Sequence, residues 1–585
     1  MTIVGNPAPM AIDWDVPVEM DDGVVLRADI YRPNDQESYP AILSYGPYAK
    51  WLHIQDSSPY QWNSLVDEYP EVAQNTSGRY IAWEVIDPEK WVGDGYVVVR
   101  FDSRGAGRSQ GLLSVQSPRE YQDLYDCIEW AADQPWCNGK IGLNGISYYA
   151  TNQWMVASMQ PPHLEAICIW EGNSDPYRDR TYHGGIHSGF ADRWYGGRIL
   201  PRQHGVGARG FRSRMTAGWV AGPETLTDEQ LEAFRSDHPR EILEHPWFDE
   251  FWASRLPDFS KIEVPLLSAA NWGGAGNHLR GNVEGFIRSS SEQKWLEFHG
   301  GSHWTHFYTD YGVALQKEFF NHFLKGQDNG WDKRPPIILN ERHPEEKYVE
   351  RAEEAWPLSN TQWTQFYLHN TDLSLSTTAP SGERARTYEG LGDGLTYITP
   401  PLEQEQEITG PISAKLFISS ATEDADLFLV LRVFRPDFRE VTFHGANEPH
   451  SPVGHGWLRV SHRKLDEELS TPYRPYHTHD EPQPMAPGEI YEVDVEIWPT
   501  SIVIPKDYRL GLSIRGRDYI WPGAKGTTLP ASGIQATAGV EFTGVGPFRH
   551  NIGKDRPPEI FADEVTIHQS ATERPYVLLP IIPRE

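Results

Sequence analysis

Cysteine is nearly missing from this chain: Cys127, Cys137 and Cys168 are the three in 585 residues, with no CxxC pair and no histidine beside them at metal-ligand spacing. That argues against a disulfide-framed scaffold and against a Cys-based zinc module. No run of about eighteen apolar residues occurs, so no membrane-spanning helix is predicted. Met1 to Asp15 has neither a basic n-region nor an apolar h-region, which predicts a cytoplasmic protein. Basic residues are short as well: 52 Lys and Arg against 82 Asp and Glu give a formal net charge of −30. With the basic residues scattered, neither a nucleic acid nor an anionic membrane is expected as partner. The acid excess is spread along the chain and reads as solubility. Aromatic residues, by contrast, are abundant, with 22 Trp, 27 Tyr and 22 Phe. Such a chain cannot be disordered, and its length calls for more than one core.

The first half alternates strands and helices. Val24 to Tyr31, Ala41 to Ser44, Gly95 to Phe101, Lys140 to Gly145, Leu164 to Trp170, Val264 to Ser268 and Lys294 to Phe298 read as strands. Tyr121 to Ala132, Tyr149 to Ser158 and Val313 to Leu324 carry apolar residues at helical spacing. That alternation predicts a mostly parallel α/β sheet. Residues 173–260 break it with irregular Arg-, Gly- and aromatic-rich sequence, expected to form a mostly helical cap. Beyond Trp356, strand-like runs follow one another without helices: Gln362 to Leu368, Ile412 to Ile418, Leu427 to Phe434, Tyr491 to Ile497 and Arg509 to Arg515. Turns are expected at Thr409-Gly410-Pro411, Pro436-Asp437 and Pro505-Lys506, and the whole reads as a β-sandwich or jelly roll. The division expected is α/β sheet over 1–172 and 261–350, cap over 173–260, and β domain over 351–585.

The strongest local signal is Lys140 to Ala150, KIGLNGISYYA, where a strand runs through Gly145-Ile146-Ser147-Tyr148 straight into a helix. A strand–turn–helix of this kind exposes a serine on a strained turn, above a helix N-terminus that favours developing negative charge. The G-x-S-x-G form is not met, since Tyr149 stands where its second glycine would be. Three further segments accompany it: Phe101-Asp102-Ser103-Arg104-Gly105-Ala106-Gly107-Arg108-Ser109-Gln110-Gly111, Gln134-Pro135-Trp136-Cys137-Asn138-Gly139-Lys140-Ile141-Gly142, and Gly456-Trp457-Leu458-Arg459-Val460-Ser461-His462-Arg463. Together, over essentially the whole chain, they resemble the cocaine esterase / X-prolyl dipeptidyl aminopeptidase / α-amino-acid ester hydrolase group of serine hydrolases (CocE/NonD type). The elbow departs from the group's G-x-S-Y-x-G in having Ala150 for the last glycine.

The resemblance implies an α/β-hydrolase fold with an inserted cap and a C-terminal jelly roll. It also implies roles: Ser147 as nucleophile, the Tyr48 hydroxyl and the Tyr148 backbone N–H as oxyanion donors, and His303, in Ser302-His303, as general base, with His299 and His306 as rivals. The group's acid sits in a G-W-Y-D turn, but Ala270-Asn271-Trp272-Gly273-Gly274-Ala275-Gly276 keeps the tryptophan and has no carboxylate. Glu171, directly after the strand ending at Trp170, is the substitute acid expected, with Asp175 a step further on. A Ser–His dyad oriented by Asn271 or by a backbone carbonyl stands beside it.

Trp51 and Trp154 are assigned to substrate binding and, with Trp62, Trp83 and Trp194, suggest an apolar or aromatic acyl pocket. No cofactor and no metal is expected. His183 and His187 are four apart, but Gly184-Gly185 between them argues against a shared helix face for zinc, and Asp424 and Asp426 read as a solvated turn rather than a calcium site. The function expected is hydrolysis of a small-molecule ester or amide through an acyl-enzyme. An X-Pro dipeptidyl aminopeptidase, or an amino-acid ester acylase or acyltransferase, is the alternative. A non-hydrolytic catalyst or binding pseudoenzyme stays open because the usual acid is absent, and homo-oligomerisation stays open too.

Overall fold

The computed structural model describes residues 9–526 and 539–584. Ten strands make the first sheet: β1 (Met10–Glu19), β2 (Val25–Pro33), β3 (Tyr39–Gly46), β4 (Val97–Asp102), β5 (Cys137–Ile146), β6 (Leu164–Trp170), β7 (Leu266–Asn271), β8 (Lys294–His299), β9 (Ile337–His343) and β10 (Lys347–Glu353). Their order is β1-β2-β4-β3-β5-β6-β7-β8-β9-β10. The seven strands from β4 to β9 in that order run parallel, and antiparallel strands close both edges. The central strands VVVRFD and LLSAAN are buried at every position, as parallel strands covered on both faces must be. Helices α1 (Pro118–Ala132), α2 (Tyr148–Ser158), α3 (Leu279–Arg288) and α4 (Asp310–Phe323) supply the covering layers. β1, β9 and β10 lie outside the strands expected from sequence: Met10–Glu19 alternates acidic and apolar residues around Pro17, and Lys347–Glu353 (KYVERAE) is a charged edge with no apolar stripe.

Residues 173–260 cover the carboxyl ends of the strands with short helical turns, the longest seven residues, joined by irregular chain. Two of those turns, Tyr177–Thr181 and Tyr195–Ile199, are π-helical. His183 and His187 lie in a two-stranded hairpin, not on a helix. The C-terminal sheet runs from Gln362 and closes on itself, because Tyr576–Ile582 pairs with both Gln362–His369 and Gln406–Ser420. Leu416, Leu429, Val495 and Leu512 are among its fully buried interior residues.

Two expectations for this half are corrected. Thr409-Gly410-Pro411 is not a turn: it lies inside the 15-residue strand Gln406–Ser420, where a bulge between Gly410 and Ile412 absorbs the proline's missing N–H. Asp424 and Asp426 are not solvated: Asp424 accepts from Ser461 N and Oγ, and Asp426 is buried under Arg459 and Arg556. The Gly456–Arg463 segment docks the β domain on the cap. Arg459 N donates to Gly184 O at 2.8 Å, and the His462 ring stacks on Trp247 at 3.8 Å. Among the described residues, no helix is long and apolar enough to cross a membrane.

Candidate active site

β5 ends at Ile146, and α2 begins at Tyr148. Between them Ser147 takes φ 57° and ψ −111°, a conformation that costs a non-glycine residue about 1–3 kcal/mol and persists only where its surroundings enforce it. Enforcement is visible on both sides. Ser147 N donates to Trp170 O and Glu171 O at 3.1 Å each, and Ile146 N donates to Glu84 O at 3.0 Å. Two glycines make room for the elbow. A Cβ on Gly145 would lie 2.4 Å from Tyr149 Cβ, and one on Gly172 would lie 2.6 Å from Ala150 Cβ. The close packing usually secured by a glycine at position 150 is therefore secured by Gly172 across from it.

Around Ser147 lies a cavity of about 520 Å³, mouth included, with Tyr48, Tyr148, His278 and His303 in its wall. The Tyr48 hydroxyl accepts from Trp194 Nε1 at 3.0 Å, which leaves its own proton for another acceptor. Burial, then the nearby Glu84 carboxylate, raises the Tyr48 pKa and keeps the phenol a donor. The loop bearing Tyr48 is fixed by the Asp102–Arg108 segment. Asp102 Oδ1 accepts from Lys50 N at 2.6 Å, Oδ2 accepts from Arg108 N at 2.9 Å, and Lys50 Nζ lies 3.2 to 3.6 Å from Asp15, Asp29 and Asp102. That motif therefore supports the loop that carries Tyr48. Tyr148 N–H, the other donor expected from sequence, is a first-turn amide of α2, without an acceptor inside its own helix.

Glu171 sits immediately after β6, and its carboxylate Oε2 accepts from His303 Nδ1 at 2.7 Å. Oε1 is 3.2 Å from His299 Nε2 and 3.4 Å from Asn271 Nδ2. Asn271 thus steadies the carboxylate and, through Gly301 O at 2.9 Å, the loop of His303, without touching that imidazole. Asp175 is elsewhere, paired with Arg178 at 2.7 Å. Burial would raise the Glu171 pKa, but His303 and His299 outweigh it and hold the carboxyl well below its usual range. Burial likewise opposes charge on His303, and Glu171 and Glu84 overcome it, raising its pKa to about 10. His299, held between Glu297 and Glu171, is raised to about 9, whereas buried His306 is lowered to about 3.

Ser147 itself touches a residue that sequence reasoning missed. Its Oγ is 3.1 Å from His278 Nε2, while His303 Nε2 is turned toward Glu84 Oε1 at 3.1 Å. The two imidazoles stack at 4.9 Å and 13°. Asn277 Nδ2 donates to the same Nε2 at 2.7 Å, so Asn277 and Ser147 compete for its one lone pair, and the Ser147 proton can pass there only as the Asn277 bond yields. Burial, then the charge on His303, pushes the His278 pKa well below its ordinary value. His278 stands between the β7 turn and α3, in Gly276-Asn277-His278-Leu279, where no motif marks it; Glu84, in the long chain from Tyr48 to Tyr96, is equally unmarked.

Glu171, His278 and His303 place three potential ligand atoms within 4.8 Å of one another, the two-His, one-carboxylate set that first-row transition metals accept. In the structure that set is engaged otherwise, Glu171 with His303 and His278 with Ser147.

Two assignments to the substrate pocket do not hold. Trp154 is fully buried in α2, packed so closely on Gly285 that a Cβ there would lie 2.4 Å from its ring. Trp51 lies under Arg108 at 4.2 Å and donates to Asp29 Oδ1 at 3.2 Å, away from the cavity. Trp83 and Trp194 do line it. Position along the chain cannot separate a tryptophan that fills a core from one that lines a mouth.

Residues 22–308 match the family model of the X-Pro dipeptidyl-peptidase (S15 family), and residues 329–545 match that of the X-Pro dipeptidyl-peptidase C-terminal non-catalytic domain. The chain is similar to the cocaine esterase of a Rhodococcus species, 25% identical over 587 residues, covering 86% of this chain and 90% of that protein. A solved CocE/NonD family hydrolase from Staphylococcus aureus is 30% identical, covers 98% of this chain and 94% of its own, and superposes with a TM-score of 0.82. An α-amino acid ester hydrolase, 14% identical, shares the fold with a TM-score of 0.64 over 99% of this chain and 98% of that one.

Proposed function

Because this chain belongs to the CocE/NonD family of hydrolases, and is a serine hydrolase of ester or peptide bonds, we propose that Ser147 attacks the carbonyl of a small ester substrate and carries its acyl group. The observation that carries this reading is the 3.1 Å contact between Ser147 Oγ and His278 Nε2 on a strained elbow. In that geometry the proton leaves Oγ for His278 Nε2 as the Oγ–C bond forms. The carbonyl oxygen, now negative, is received by the Tyr48 hydroxyl and the Tyr148 N–H, an arrangement worth several kcal/mol to the tetrahedral intermediate. His278 returns its proton to the leaving alcohol, and water repeats the sequence to release the acid.

Glu171 favours a proton arriving on His278, against burial and the charges of His303 and Arg180. The low pKa of His278 keeps the resting imidazole neutral, with a lone pair to accept the proton, and makes it a weaker base than a free histidine.

A second reading has its own observation. The 2.7 Å bond from His303 Nδ1 to Glu171 is the acid–histidine pair that Ser–His–acid chemistry requires, and His303 is the base that the sequence resemblance implies. His303 would then take the proton once Nε2 left Glu84. Both readings take Glu171, immediately after β6, as the acid in place of the carboxylate missing after β7.

Labelling with a fluorophosphonate tests the shared core. A stoichiometric adduct on Ser147, lost in Ser147→Ala together with turnover of 4-nitrophenyl acetate, is expected. A folded protein with no adduct and no ester turnover would reject acyl transfer at this site.

A further inference from the structure

The cavity holds a cation that no step of this acyl transfer uses. Arg180, in the π turn Tyr177–Thr181, is 5% exposed and lines the wall beside Ser147. Its Nη2 is buried without a hydrogen-bond partner, and its guanidinium lies 5.6 Å from the Trp194 ring centroid. Neighbouring arginines are paired: Arg178 with Asp175 at 2.7 Å, and Arg280 with Asp179 at 2.9 Å. Among the described residues, no carboxylate forms an ion pair with Arg180, whereas a buried charge is ordinarily paired because burying it alone is costly. Burial disfavours its charge, as it does for Arg198, which the second π turn presents to the same cavity.

Arg180 thus faces a cavity open to a ligand. Guanidinium accepts carboxylates through paired N–H donors with a strength that neutral groups do not reach.

We propose that this pocket takes substrates bearing a carboxylate in addition to the scissile ester or amide, and that Arg180 receives it and sets the specificity. This rests on Ser147 being the acylated nucleophile. Trp83 and Trp194 then serve as apolar walls that hold the chain between carboxylate and carbonyl.

The test compares esters that differ in one charge. Mono-4-nitrophenyl glutarate is set against 4-nitrophenyl pentanoate, which places the charge on the acyl side, and 3-acetoxybenzoate against phenyl acetate, which places it on the leaving group. In wild-type protein kcat/KM for the anionic member of one pair should exceed that of its neutral partner by on the order of 10 to 100 fold, the range of a hydrogen bond to a charged group. Arg180→Gln should bring that ratio to near one, and Arg180→Lys should recover part of it. Fluorophosphonate titration of Ser147 counts folded sites in each variant. Should neither variant fold, the wild type still decides: millimolar glutarate should compete with 4-nitrophenyl pentanoate, and glutaramide should not. Equal kcat/KM within both pairs, with glutarate and glutaramide alike, would overturn the proposal while leaving the hydrolase standing. Loss of all ester turnover and of labelling in wild-type protein would instead overturn the acyl-transfer reading, and this one with it.

Discussion

Replacing Glu84 by Gln separates the two candidate proton acceptors, because the two readings give opposite signs. Glu84 accepts from His303 Nε2 at 3.1 Å and is 3% exposed. Its charge does two things: it helps raise His303 to about 10, and it offsets the proton that would arrive on His278. A charge-assisted hydrogen bond of this kind is worth about 1.5–3 kcal/mol, or roughly a factor of 10 to 150. If His278 takes the proton, Glu84→Gln removes support for the imidazolium, and kcat/KM at pH 7 should fall by about tenfold or more. If His303 takes it, the sign reverses. With a pKa of about 10 only about one His303 in a thousand is neutral at pH 7, and weakening its hold on the proton should raise kcat/KM by roughly the same factor. The wild-type pH profile gives an independent reading. Proton acceptance by His278, whose pKa is depressed, predicts a flat rate from pH 6 to 9, whereas acceptance by His303 predicts a rate that climbs across that range toward about 10. The assay is kcat/KM for 4-nitrophenyl acetate from pH 5 to 9, normalised to fluorophosphonate-titrated sites. A rise in Glu84→Gln at pH 7, joined to a climbing wild-type profile, would refute the assignment to His278.

Tyr48→Phe removes one oxyanion donor while leaving the ring among Tyr148 and Tyr149; kcat for ester hydrolysis should fall by about 10²–10³ with KM little changed, and an unchanged kcat would reject the role. Glu171→Gln should lower kcat/KM by at least about 10² and, by breaking a buried pair, destabilise the fold by about 3–5 kcal/mol in urea unfolding; wild-type turnover would remove Glu171 from the site. Stability should fall as pH drops below about 6.5. Burial lowers His455 and His477 to about 4, and pushes His183, His462 and His479 well down. The unfolded chain therefore binds protons that the native one refuses, so these groups contribute fully above pH 6.5 and lose their contribution as pH falls through their folded values. His299 and His303 act in the other sense: complete below pH 6.5, their contribution is lost as pH rises through about 9 and 10. A melting temperature that is unchanged between pH 7.5 and 5 would contradict the burial of those histidines as neutral groups.

The parallel sheet was legible because VVVRFD and LEAICIW must bury both faces, and only a continuous apolar run satisfies that. Ser147 is singled out by its strand–turn–helix setting together with the accompanying motifs at Phe101–Gly111 and Gln134–Gly142, since the elbow alone would fit an ordinary turn serine. Glu171 is reached only through the resemblance: the turn after β7 lacks the group's carboxylate, and the end of the preceding strand can supply one instead. His278 was not legible, since what makes it a partner of Ser147 is the path of the chain after β7, and nothing in Asn277-His278-Leu279 records that path. Arg180 hides for a related reason. It follows Arg178 by two residues in the same turn, one paired and the other facing a cavity, and only the winding of that turn tells them apart.

That winding has a consequence for change over time. A π turn holds one residue more than the α turn it replaces, and Tyr195–Ile199 interrupts an otherwise helical stretch from Phe190 to Arg202. Loss of a single residue there would restore regular winding, rotating the chain beyond it by about 100° and carrying a side chain such as Arg198 away from its present bearing. A Cβ at Gly196 or Gly197 would meet nothing within 4 Å, so neither position is held by packing at that point. The lining of the cavity can thus be rewritten by a one-residue slip in the cap, while the elbow, the acid and both histidines stay in place on a sheet that never feels it.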